Sequence, residues 1–263
     1  MNLLFVGDVV GRPGRGAVRA CLGELVNRHE IDFTVANAEN AAGGMGLTAS
    51  TAEELLDAGV DVLTSGNHVW RHRELAGFIE RERRVLRPAN FPPGAPGRGS
   101  EVFVTAQSGA VGVLCLVGRV FMEPLDCPFR AADREIQELR GKTRVIVVDV
   151  HAEATSEKIA MGRYLDGRVS AVIGTHTHVQ TADETTLAGG TAYITDVGMT
   201  GPVESILGVA PEPVIERFLS GMPSRFEVGK GPVRLNAVVV NIDAETGTAR
   251  SIMRVIESIP AES

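Results

Sequence analysis

Six short runs in the first 180 residues carry apolar side chains on both faces, and five of them end on a residue that can bind a metal. They are "NLLFVGD" (2–8), "IDFTVANAE" (31–39), "VDVLTSGN" (60–67), "GVLCLVG" (112–118), "RVIVVDVH" (144–151) and "VSAVIGTH" (169–176). A strand with two apolar faces has to be covered on both, which demands helices or a second layer. Helix-like stretches stand between most of the runs, at 14–29, 50–59, 73–83, 132–140 and 156–165. Alternation of this kind predicts parallel strands in an α/β sheet. Ser50 with Glu53 three residues on reads as a capping box, and Gly59 as the helix stop.

Beyond residue 185 the pattern turns to strands. "TAYITDV" (191–197) precedes a helix expected near 212–219, and "VRLNAVVVNI" and "ARSIMRVIES" flank "DAETG" as a hairpin would. Mixed or antiparallel pairing is expected there, on the same core. The stretch 87–100, "RPANFPPGAPGRGS", is the expected loop. No repeat or low-complexity tail divides the chain, so one domain over 1–263 is the simplest organisation.

Composition excludes several function classes. A net charge of −7 argues against a basic nucleic-acid surface and against adhesion to anionic membranes. Neither a secretory leader nor an apolar run long enough for a membrane span is visible. Cys21, Cys115 and Cys127 form no C-x-x-C pair, which fits a reducing, cytoplasmic setting and a metal site without thiolates.

The strand ends then carry the chemistry. Asp8 closes the first run, Glu39 with Asn40 the second, Asn67 with His68 the third, His151 the fifth, and His176 with His178 the sixth. Ligands of open α/β sheets bind beyond the carboxyl ends of strands, so these groups are expected along one sheet edge. Singly, each has an ordinary role: Asp8 a turn residue, Glu39-Asn40 a loop, Asn67 a helix cap, His151 a core imidazole. Jointly they read as a metal centre. Imidazole and carboxylate without sulfur suit zinc, manganese or iron, and seven donors exceed what one tetrahedral ion takes. Two divalent ions sharing a bridging carboxylate fit better, and they leave the site positive, as a phosphate substrate needs.

His68 follows Asn67 directly, so both side chains cannot easily reach one ion. It is expected to face substrate as a proton donor, with a supporting structural role as the alternative. His72 lies a helical turn further on, and His29 ends a surface helix. The glycines of "GRPGRG" have the wrong spacing for a dinucleotide fingerprint. Arg119 and "GMTGP" (198–202) are candidates to shape the pocket, with a surface ion pair and an ordinary turn as their plain readings.

At these residues the chain resembles the calcineurin-like metallophosphoesterases. "GNH" (66–68), the lone His151 and "GTHTH" (174–178) follow the order of that superfamily's motifs. Val10 and "AEN" depart from it, at a histidine ligand and at an aspartate motif. Those departures resemble one branch, the YmdB family of bacterial phosphodiesterases, as do "FVGDVVGRPGR", "NAENAAGGMGLT", "GNHVW", "RPANFPPG", "DVHAEATSEK", "GTHTHVQTAD" and "TAYITDVGMTGP". The resemblance implies an α/β-β/α sandwich of two packed mixed sheets flanked by helices. It also implies an iron-type dinuclear site and cleavage of 2′,3′-cyclic nucleotides at the 2′ bond. It further implies that Asn40 replaces the lost histidine, that Asp8, Glu39, Asn40 and His178 hold one ion, and that Glu39, Asn67, His151 and His176 hold the other.

The expected activity is therefore attack of a metal-held hydroxide on the cyclic phosphate, with His68 protonating the leaving oxygen and a 3′-nucleotide as product. A phosphomonoesterase on the same metals is the alternative enzyme. A regulatory module that binds cyclic nucleotide or a protein partner with little turnover is the alternative of another class. The partner expected is a small phosphodiester, with no membrane, no stable nucleic-acid contact, and self-association left open.

Overall fold

The structure is a computed structural model and describes residues 1–105 and 109–260. In chain order its elements are β1 (Asn2–Val6), β2 (Asp8–Val9), α1 (Gly11–Arg28), β3 (Phe33–Asn37), α2 (Ala49–Asp57), β4 (Val62–Thr64), α3 (Leu75–Ile79), β5 (Ser100–Thr105) and β6 (Gly109–Val117). There follow α4 (Pro128–Arg140), β7 (Val145–His151), α5 (Thr155–Leu165), β8 (Ala171–Thr175), β9 (Thr185–Thr186), β10 (Ala192–Ile194) and β11 (Met199–Pro202). The chain closes with α6 (Pro211–Ser220), β12 (Val233–Ile242) and β13 (Ala249–Ile259).

The strands form two mixed sheets. Among the described residues one has seven strands in the order β2-β11-β12-β1-β3-β4, with β13 on the other edge of β12. The second has the order β5-β6-β7-β8-β10-β9. Pairing is parallel within β1-β3-β4 and β6-β7-β8, as the βαβ connections require, and also between β8 and β10, whose connection holds β9 and no helix. The C-terminal hairpin does not sit apart: β12 runs antiparallel to β1, Leu4 opposite Val239, and so lies inside the first sheet. No helix among the described residues is long and apolar enough to cross a membrane.

The two apolar faces of each run serve two different cores. Leu3, Phe5, Val35 and Val62 of the first sheet pack on Val113, Cys115, Val147, Ile173 and Ile194 of the second. The alternate residues Leu4, Val6 and Ala36 meet Val18, Leu22, Leu25 and Leu55 from α1 and α2. Leu114, Leu116, Ile146 and Val148 meet Ile136, Leu139, Met161 and Leu165 from α4 and α5. Period-two alternation with both faces apolar thus yields four layers, α/β/β/α.

Three local expectations are corrected. The capping box of α2 is Thr48 with Thr51, earlier in the chain than the Ser50–Glu53 pair. Thr48 Oγ1 accepts from the Thr51 amide, so the helix starts before Ser50 can act as a cap. The helix expected over 73–83 holds only five residues, Leu75–Ile79, of which Leu75 and Ile79 are buried and Phe78 packs half-buried on the same core. "GMTGP" (198–202) is no plain turn: its last four residues are β11, which pairs in parallel with β2.

Candidate metal centre

All the candidate ligands stand at carboxyl ends of strands, but on two sheets rather than one. Asp8 begins β2 just after β1, Glu39 and Asn40 follow β3, and Asn67 and His68 follow β4, all on the first sheet. His151 is the last residue of β7, and His176 and His178 follow β8, on the second. The single sheet edge expected from spacing is therefore two facing edges, with the carboxylates, the amides and His68 from one and the other three imidazoles from the second.

The close approaches in the cluster fall into two groups. In one, His151 Nε2 lies 3.1 Å from Glu39 Oε1 and 3.0 Å from His176 Nδ1. Glu39, His151 and His176 offer ligand atoms that all lie within 4.8 Å of one another. In the other, His178 Nε2 lies 3.7 Å from Asp8 Oδ1 and 3.1 Å from Asn40 Nδ2. Asp8, Glu39 and His151 are all buried to 1% exposure or less. Gly66 is required beside them, since a Cβ there would collide with Glu39 Oε2 and the His151 ring.

Several oxygens in this cluster have no hydrogen-bond donor. Asp8 Oδ1, both carboxylate oxygens of Glu39 and Asn67 Oδ1 are buried without a hydrogen bond among the described residues. The His68 and His151 nitrogens approach Glu39 Oε1 at 2.9 and 3.1 Å but without hydrogen-bond alignment. An unsatisfied buried acceptor costs about 1–3 kcal/mol, more when charged, so such a set fits a cation-binding site. The donor chemistry, oxygen and imidazole with no thiolate, fits zinc, manganese or iron.

The electrostatics agree. Burial opposes the charge on Glu39, but the neighbouring His151 overcomes it and holds the carboxyl well below its usual range. Burial also opposes charge on His151, yet Glu39, Asp8 and Asp149 raise it to about 9. Burial and the adjacent His151 drive His176 down to about 3.

Surrounding groups set which imidazole nitrogen is free. Thr175 Oγ1 donates to Asp149 Oδ1 at 2.7 Å, so it can only accept from His151 Nδ1 at 2.9 Å, leaving Nε2 for the cluster. His178 Nδ1 likewise donates to the Leu207 carbonyl at 3.0 Å, freeing its Nε2. Asp149 also accepts from Asn37 and Thr64 of the opposite sheet, tying the two edges together. Burial raises its carboxyl to about 6 against the opposing pull of His151. Sequence reasoning passed over Asp149, Thr175 and Glu153, whose Oε2 lies 3.1 Å from His176 Nε2.

His68 sits at the mouth of the cluster with its side chain 32% exposed. Its Nδ1 turns inward to Glu39, and to Asn40 Oδ1 at 3.2 Å, and among the described residues Nε2 has no hydrogen-bond partner. His72 instead contacts the Met45 carbonyl, and His29 caps α1. The exposed Arg119 meets the core through its backbone amide, which donates to Glu157. Met199 and Gly201 line a cavity of ≈ 340 Å³ that His178 also borders.

A family profile described as YmdB-like protein matches residues 4–255. A Bacillus subtilis (strain 168) protein named 2′,3′-cyclic-nucleotide 2′-phosphodiesterase is 49% identical over 256 residues, 97% of either chain. The crystal structure of a hypothetical protein from Thermus thermophilus superposes with a TM-score of 0.93 at 45% identity, covering 99% of this chain and 100% of the other. The calcineurin-like phosphoesterase YfkN from Bacillus subtilis gives a TM-score of 0.59 at 12% identity over 98% and 90% of the two chains, a likeness of fold alone. The fold is thus that of the calcineurin-like phosphoesterases, and the chain belongs to the YmdB-like family.

Proposed function

We propose that this chain is a metal-dependent phosphodiesterase that opens 2′,3′-cyclic nucleotides to 3′-nucleotides. The observation that carries the reading is the set of buried, unpartnered oxygens on Asp8, Glu39 and Asn67 facing three imidazoles across the two sheet edges. The name of the relative from Bacillus subtilis supports the substrate. Asp8, Glu39, Asn40 and His178 would hold one divalent ion, and Glu39, Asn67, His151 and His176 a second, with Glu39 shared. Iron is the proposed native metal, with manganese or zinc as substitutes. Such ions, when bound, polarise phosphate oxygens and lower the pKa of a water toward neutrality.

The chain's own residues do the rest. His68 Nδ1 donates to Asn40 Oδ1 beside Glu39, which leaves Nε2 to carry a proton to the departing O2′. As the oxygen of a water bonds to phosphorus and the P–O2′ bond breaks, that proton neutralises the leaving alkoxide, the water's own proton passes to solvent, and the phosphate stays on O3′. Asp149 and Thr175 keep His151 in one tautomer while this happens.

The test is hydrolysis of 2′,3′-cyclic AMP by manganese-loaded protein, with 2′- and 3′-AMP resolved. Release of 3′-AMP that chelator abolishes is expected. Exclusive release of 2′-AMP, or turnover only of phosphomonoesters, would contradict the proposal.

A further inference from the structure

Two buried charges lie outside the metal cluster and take no part in the chemistry above. Lys158 on α5 and Asp196 just beyond β10 are both fully inaccessible to solvent, and their side chains meet at 2.8 Å. Lysine and aspartate are almost never fully buried unless paired, and a buried pair by itself stabilises a fold little more than apolar packing would. Their remaining contacts therefore matter. Lys158 Nζ donates to the Thr175 carbonyl at 2.9 Å and lies 3.4 Å from Thr177 Oγ1. Asp196 Oδ2 accepts from the Thr177 amide at 3.0 Å and from its hydroxyl at 2.7 Å. Asp196 Oδ1 accepts from the Gly198 amide at 2.8 Å, and the Gly198 carbonyl accepts from the Asp8 amide at 3.1 Å.

One ion pair thus grips the single residue between His176 and His178, and through Gly198 it reaches the backbone of Asp8. The grip falls where the backbone is least willing. His176 has φ 94° and His178 has φ 65°, left-handed values that side-chain-bearing residues seldom adopt. The turn they make directs His176 Nδ1 to His151 and His178 Nε2 toward Asp8 and Asn40, the two halves of the cluster. Gly174 lets the strand approach closely, since a Cβ there would strike the Thr195 carbonyl and lie 2.8 Å from Lys158 Cδ.

We propose that Lys158 and Asp196 are positioning residues of the metal centre, holding the His176–His178 turn in its left-handed form through Thr177 so that each imidazole serves a different ion. The inference rests on the dinuclear reading given above. It assigns a task to two residues of the sequence segments 149–158 and 191–202 that the proposed reaction leaves idle.

Titration with manganese(II) chloride alone, read as ions bound per chain and their affinities, tests this. Thr177→Val removes only the hydroxyl and nothing that binds metal. It is expected to keep the native circular dichroism and to weaken at least one of two bound ions by about 10–100-fold, with Thr177→Ser restoring the native affinity. Lys158→Met/Asp196→Leu removes both charges together and is expected to fold while losing affinity in the same way. A pair with a purely structural task would give the reverse, a less stable metal-free protein whose folded fraction binds both ions normally. Two ions bound with native affinity by Thr177→Val would overturn the proposal, whether or not the double variant folds. Fewer than two ions on the unsubstituted chain would overturn the dinuclear reading and this inference with it. Two ions without cleavage of cyclic nucleotide would overturn the substrate alone and uphold a positioning role confirmed by the variants.

Discussion

Two groups of buried carboxylates lie close together at the same sheet edges and differ in how they are satisfied. Asp196 is fully buried, and both of its oxygens accept hydrogen bonds, from Lys158, Thr177 and Gly198. Asp8 and Glu39 are as deeply buried, yet three of their four oxygens have no hydrogen-bond donor among the described residues. A folded chain that satisfies one carboxylate so fully and leaves its neighbours open is shaped for something that arrives from outside. The first group fixes backbone, and on the proposed reading the second would take a cation. Burial alone does not separate the two; hydrogen-bond accounting does.

The comparison can be broken or sharpened by experiment. The largest effect is expected from Glu39→Gln, which keeps the volume but removes the charge that both proposed ions would share. Cyclic-phosphate hydrolysis should fall to background in a steady-state assay, and activity within tenfold of native would place Glu39 outside the centre. His68→Ala should lower turnover by about 10²–10⁴-fold, the usual worth of a general acid, while metal content by mass spectrometry is unchanged. Asp149→Asn should weaken metal affinity by about 10–100-fold through His151, read by calorimetric titration against the native chain. The smallest effect is in stability. Chelation of ions present at about 100 times their dissociation constant removes about 2.7 kcal/mol per site, and thermal scans should show the midpoint falling by roughly 5–10 °C. Asp196-type satisfaction at Glu39 would instead leave the midpoint unmoved.

What the sequence makes legible follows from what each side chain does locally. Strands buried on both faces show as continuous apolar runs, since Leu3 and Phe5 face one core while Leu4 and Val6 face another. The proposed ligands at strand ends show because Asp8, Glu39, His151 and His176 interrupt those runs abruptly. The entry of β12 between β13 and β1 leaves no such trace, because pairing between the two ends of the chain is a tertiary choice. The division of ligands between two sheets is hidden for the same reason, and only the family resemblance anticipated a sandwich. Lys158 reads as an ordinary helix-surface charge and Asp196 as the polar end of a strand. Their meeting is visible only once α5 is packed beneath β8 and β10. The Ser50–Glu53 spacing misleads because Thr48 stands two residues earlier, and its hydroxyl is the one the Thr51 amide reaches.

The most direct test of the central claim is anomalous diffraction from crystals grown with manganese(II). The account predicts two peaks about 3.5–4 Å apart, bridged by Glu39, one against Asp8 and His178 and the other against His151 and His176. A single peak, or none within reach of the Glu39 carboxylate, would contradict it.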